Sequence, residues 1–149
     1  MTGIYEAAGT MSDHIELHDS RLVLSLAKDA VILNLCPAYI HHWDRLPSGW
    51  RGEGRSQSAE IVIAKGSVAS SPLTGVFEIS EGWFQVGARL HENMIPVPFE
   101  ENAPVRGRLD LVNAGAVELS GEGIVVRLVG EPEYVEDLPL ERPPSGGAA

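Results

Sequence analysis

Cys36 is the only cysteine of the chain. No intrachain disulfide can form, and one thiolate cannot assemble a cysteine-based zinc site. No apolar run approaches the ~18–20 residues of a membrane-spanning helix. The opening text, MTGIYEAAGTMSD, lacks the basic region and continuous apolar stretch of a secretory signal, so a cytoplasmic location is the expectation. Basic residues are scarce: 11 Lys and Arg stand against 21 Asp and Glu, a net charge of −10. Phosphate backbones and anionic membranes repel such a chain, which argues against nucleic acid and membrane as partners. The G-x-S-x-G elbow, the phosphate-binding P-loop and the dinucleotide fingerprint are all missing. No long amphipathic helix can be read, and no cofactor is expected.

What the chain has is alternation. Its 149 residues, 44% of them apolar, suit one domain with a hydrophobic core. Residues 1–13 read as a loose arm, 14–140 as a single β domain and 141–149 as a disordered tail. From His14 to Asp19, Ile15 and Leu17 face inward while His14, Glu16 and His18 face out. Leu22, Leu24 and Leu26 then share a face, Lys28-Asp29 makes a tight turn, and Val31, Leu33 and Leu35 answer from a returning strand. Ala30, Ile32 and Cys36 on its other face are apolar too, so this strand is expected to be covered on both sides. Pro37 predicts a bulge or an edge, because proline cannot donate to a β-ladder.

Further on, Asp44 to Ser58 reads as a long polar loop on its glycines and proline. Val76–Ile79 and Trp83–Leu90 read as a hairpin closed at Ser80-Glu81-Gly82. The prolines between Asn93 and Phe99 suggest a packed loop. Strands follow over 106–112, 116–119 and 124–129, with a last short strand or helical turn over 134–138. RLVLSLAKDAVIL from Arg21 and RLDLVNAGAVEL from Arg108 read as two similar meander hairpins. Eight or nine short strands make an all-β fold, an antiparallel sandwich or partly open barrel.

Chemistry concentrates after the first hairpin. Between His41 and Arg55, Arg45, Arg51 and Arg55 face only Asp44 and Glu53, leaving +1 and therefore −11 for the rest. Arginine forks beside Trp50 are suitable parts for gripping a small anion such as a carboxylate or phosphate, or an acidic protein partner. His41, Asp44, Arg45, Trp50, Arg51 and Arg55 are therefore the candidate ligand-binding residues of a non-catalytic binding module. Five histidines offer an alternative, a metal-dependent enzyme or sensor built from His18, His41 and His91 on different strands. Spacing limits it: on a strand His14 and His18 stand ~13 Å apart, and the adjacent His41 and His42 point to opposite faces. Ser20 follows His18-Asp19, but three consecutive residues cannot converge as a triad. The acidic segment from Glu131 to Glu141 suits a third reading, an inhibitor that docks a basic partner.

Two stretches carry a resemblance. His18-Asp19-Ser20-Arg21-Leu22 before a hairpin, and Gly130-Glu131 running through Val135 to Glu136, resemble the ends of small bacterial β-domains. Some of these are similar to immunity proteins of toxin systems. The resemblance covers only the two ends; it implies an all-β fold and non-enzymatic binding, and carries no catalytic residue to this chain. WRGEG from Trp50 also resembles the GxWxGxG signature of nitrobindin-like barrels. Ser48 replaces its first glycine, and the text lies a third of the way into the chain, so no haem is expected.

Overall fold

Period-two burial organises the structure, a computed structural model that describes residues 11–69 and 74–138. It is all-β and antiparallel, with no helix among the described residues. The arm before Met11, the turn around Pro72 and the tail after Leu138 lie outside the described residues. Strand β1 (Met11–Glu16) already includes Met11 to Asp13, residues of the expected arm.

The hairpin of β2 (Arg21–Ala27) and β3 (Ala30–Leu46) has the expected register, Leu22 opposite Leu35, Leu24 opposite Leu33 and Leu26 opposite Val31. Asp29 takes φ +63°, supplying the left-handed turn residue that glycine would otherwise provide. Leu22, Val31, Leu33 and Leu35 are buried, while Leu26 at the hairpin tip is 65% exposed. The expectation that β3 is covered on both faces is corrected. Ala30 and Ile32 are half-buried and Cys36 is exposed. In this open sheet a central strand turns only one face to the core.

Pro37 sits at a bulge. Leu35 faces Ala59 and Ala38 faces Gln57, so Cys36 and Pro37 together oppose the single residue Ser58. The extra residue flips the strand. Before it the odd positions Val31, Leu33 and Leu35 are buried; after it Ala38 and Ile40 are. The neighbour changes as well, from β2 to β1, whose Ile15 pairs with Ile40, His14 with His41 and Asp13 with His42.

Beyond the bulge the polar stretch is not a loop. β3 runs to Leu46, turns at Pro47-Ser48 and returns as β4 (Gly49–Ala64), with Arg45 opposite Trp50 and Asp44 opposite Arg51. The glycines that suggested a loop are partners of aromatic rings. A Cβ on Gly52 would lie 2.5 Å from the Trp43 ring, and one on Gly54 would overlap Tyr39. Such glycines mark close approach within a ladder and not its end. The same holds at Gly82, where a Cβ would meet Leu109 at 2.6 Å. Strand β5 (Ser67–Val68) precedes β6 (Phe77–Val86), which runs straight through the expected Ser80-Glu81-Gly82 turn. The chain instead reverses at Gly87-Ala88 into β7 (Arg89–Glu92).

The proline-bearing segment yields two short strands, β8 (Met94–Pro96) against β1 and β9 (Phe99–Glu101) against the last strand, with Ile95 and Val97 buried. β10 (Val105–Leu111) and β11 (Gly115–Gly121) form a hairpin, and β12 (Gly123–Asp137) absorbs the expected final element. The sheet order is β5-β11-β10-β6-β2-β3-β4-β12-β9, with β1 and β8 beside the far half of β3 and β7 beside β6. Among the described residues the end strands β5 and β9 do not pair with each other, so the sheet is an open, sandwich-like structure and not a closed barrel. Ile15, Leu17, Leu33, Leu35, Ile61, Ile63, Phe84 and Leu109 lie at the centre of one buried cluster.

Candidate functional site

The pairing of β1 with the far half of β3 brings carboxylates and imidazoles together on both faces. On one face Asp13 lies opposite His42. The His42 Nδ1 is 2.6 Å from Asp13 Oδ1 and its Nε2 is 3.1 Å from Asp44 Oδ1, so both ring nitrogens of this buried histidine are engaged. On the other face Glu16 bridges two histidines. Its Oε1 is 2.6 Å from His41 Nε2 and its Oε2 is 3.4 Å from His18 Nδ1, which in turn lies 3.2 Å from Asp19 Oδ1. The hydrogen bond from His41 holds the Glu16 carboxyl below its usual range, against the opposing effect of burial. Tyr39 meets His41 edge-on at 5.4 Å between centroids and donates its hydroxyl to Glu136. Burial first, then the Glu136 carboxylate, pushes that phenol upward.

The six residues expected to grip a ligand are divided by the ladder. His41, Arg45 and Trp50 fall on one face of the β3–β4 hairpin; Asp44, Arg51 and Arg55 fall on the other. Two of the three cations are also engaged. The Arg45 guanidinium stands 5.8 Å from the Trp50 ring centroid, and the Arg55 Nε donates to Glu53 Oε2 at 2.6 Å. Asp44 is occupied by His42, and Arg51 is its cross-strand neighbour. The local reversal of charge is real in sequence, and strand alternation places its residues on two faces of the hairpin.

The proposed ligand set His18, His41 and His91 does not converge. Among the described residues only Glu16, His18 and Asp19 form a group of three whose potential ligand atoms all lie within 4.8 Å of one another. His91 is buried and packs edge-on against Phe99, 5.5 Å between centroids. His14, expected to face solvent, is buried as well. Three buried ring nitrogens, His41 Nδ1, Trp43 Nε1 and His91 Nε2, have no hydrogen-bond partner among the described residues.

Burial is the main cause holding both His14 and His91 below the usual 6.5; nearby His41 adds to the effect at His14, and Arg89 at His91. Depressed folded-state values mean that the unfolded chain binds more protons in mild acid. Their stabilising contribution is therefore complete above pH 6.5 and is lost as pH falls below it. Glu16 adds a second loss below its ordinary value of 4.5. The thermal midpoint should drop between pH 7 and pH 5, and by less in His91→Gln. Melting curves across pH test this, and equal drops in the two proteins would refute it.

Sequence reasoning missed Glu16 and Asp13. Glu16 and His18 share a side of an alternating segment, a signal present in the text itself. The links to His41 and His42 depend on β1–β3 register, which no local pattern carries. Comparison with protein-family models, with curated proteins and with solved structures finds no match.

Proposed function

We propose that this protein is a non-catalytic binding module that captures a basic, extended protein segment along the outer edge of β12. The observation that carries the reading is the second half of that strand. Past Val126, where the pairing with β9 stops, β12 pairs only with β4 among the described residues. From Val129 to Asp137 its side chains are exposed on both faces. An open edge offers a row of N–H and C=O groups to an added strand. Glu131, Glu133, Glu136 and Asp137 line it, with Val129, Tyr134 and Val135 as exposed apolar contacts.

Charge selects the occupant. Two copies of this edge would set four carboxylates against four, which disfavours self-pairing, whereas a lysine-rich strand complements them. The bulges between Val129 and Glu133 and between Tyr134 and Glu136 also work against edge-to-edge association of identical chains. A small anion fits less well, since Arg55 is already paired with Glu53 and the arginines are divided between two faces. The immunity-like alternative is a special case of this reading, with a basic toxin as the partner.

The test uses the full chain and two peptides, one alternating lysine with valine and one alternating glutamate with valine. The lysine peptide should bind at low salt and protect the amides of residues 129–137 from exchange. Glu131→Lys with Glu133→Lys should weaken it at least tenfold and leave the thermal midpoint unchanged. Equal binding of both peptides, no binding of either, or retained affinity in the double variant would overturn the proposal.

A further inference from the structure

We infer that the turn following β1 is a binding site for a divalent transition-metal cation, with Glu16 Oε2, His18 Nδ1 and Asp19 Oδ1 as its ligands. The backbone creates the cluster. Leu17 is fully buried and anchors the segment inward, so Glu16 and His18 both project outward. The chain then turns, with the Ser20 N–H donating to Leu17 O at 3.1 Å, and Asp19 adopts φ +76°. This sets the Asp19 carboxylate beside the imidazole.

Two of the three spacings are those of a coordination shell. Ligand bonds of ~2.0–2.2 Å at tetrahedral angles separate neighbouring ligand atoms by ~3.3–3.6 Å. Here His18 Nδ1 lies 3.4 Å from Glu16 Oε2 and 3.2 Å from Asp19 Oδ1, and all three atoms fall within 4.8 Å of one another. Hydrogen bonding alone serves this arrangement poorly. One ring nitrogen carries at most one proton, yet it faces two carboxylate oxygens. A cation between them satisfies all three atoms at once.

The surroundings hold the ligands in advance. The second oxygen of Glu16 is fixed by His41 Nε2 at 2.6 Å, the kind of outer hydrogen bond that orients ligating carboxylates. The turn is tied to Asn93 on the neighbouring loop: the His18 N–H donates to Asn93 Oδ1 at 2.8 Å, and the Leu17 N–H to Asn93 O at 2.7 Å. His18 and Asp19 side chains are 52% and 58% exposed, so solvent or a ligand can complete the shell. One imidazole and two carboxylates suit zinc, manganese, iron(II), cobalt or nickel better than calcium, which takes oxygen ligands throughout.

Titration of the full chain with Zn²⁺ and Co²⁺ against a competing chelator tests the site. One ion should bind per chain, Co²⁺ should develop a visible absorption band, and the thermal midpoint should rise. His18→Ala should abolish binding, and both it and Asp19→Asn alter exposed side chains that the fold does not need. His41→Gln should keep the stoichiometry and weaken affinity ~10–100-fold. Glu122→Gln, on a remote exposed carboxylate, should bind as the unaltered chain does. Absence of stoichiometric binding, or unaltered affinity in His18→Ala, would overturn the assignment.

Discussion

Trp43→Ala should cost about 3–5 kcal/mol, a large share of the ~5–15 kcal/mol that holds a domain folded. Trp43 follows two histidines in a polar stretch, yet its exposure is 0%. Its ring lies over Gly52, its partner on β4. Truncating it leaves a cavity and strips the glycine backbone of its cover. Gly52→Val attacks the same contact from the other side. With a Cβ only 2.5 Å from the ring, the indole must move, at a cost of ~1–3 kcal/mol. The two effects should not add. In Trp43→Ala the valine occupies vacated space, so the double variant should be less destabilised than the sum by ~0.5–3 kcal/mol. Trp43→Phe should be far milder, because it keeps a ring over Gly52 and removes an indole N–H that has no partner. Urea unfolding of the variants measures all of this. Simple additivity, or a Trp43→Ala cost below ~1 kcal/mol, would refute the contact as the reason this hairpin is ordered.

The glycine–aromatic contact also explains why part of the fold was legible in sequence and part was not. Leucine alternation from Leu22 to Leu26 and its answer from Val31 to Leu35 defined both a hairpin and its register. Pro37 announced the bulge because a missing N–H is a local property. Gly52, Gly54 and Gly82 misled for the converse reason. A glycine alone signals a turn, and only knowledge of what lies across the ladder turns it into a seat for Trp43, Tyr39 or Leu109. Reading 44–58 as a loop then removed the alternation that separates Asp44, Arg51 and Arg55 from His41, Arg45 and Trp50. Of the carboxylate–histidine cluster, the Glu16-to-His18 spacing was local and readable. The bond from His41 to Glu16, 25 residues apart, was not.

Ser20 shows how a residue that invites a catalytic reading can be structural, and its removal should be nearly as damaging as that of Trp43. It follows His18-Asp19, but its exposure is 0% and its hydroxyl is fully used. Oγ donates to Glu16 O at 2.7 Å and accepts from the Tyr39 N–H at 3.0 Å. The need for it arises at the bulge. On this side of β3 the ladder with β2 stops at Leu35 and the ladder with β1 stops at Tyr39, leaving a gap at Cys36 to Ala38. The chain crosses that gap from β1 to β2, and Ser20 stands in it, with its hydroxyl replacing a missing ladder bond. Its carbonyl accepts the Ile79 N–H at 3.0 Å and ties in β6 as well. Ser20→Ala leaves the Tyr39 N–H and the Glu16 carbonyl without this partner in a part-buried site, at up to ~1–3 kcal/mol for each. Because the backbone loses a bond at a defined place, the effect is local as well as global. Hydrogen exchange at Tyr39 should accelerate more than at Ile61 or Phe84 in the core. A cost below ~0.5 kcal/mol, or an exchange rate at Tyr39 that follows global unfolding alone, would mean that β1 and β3 are held together without this hydroxyl.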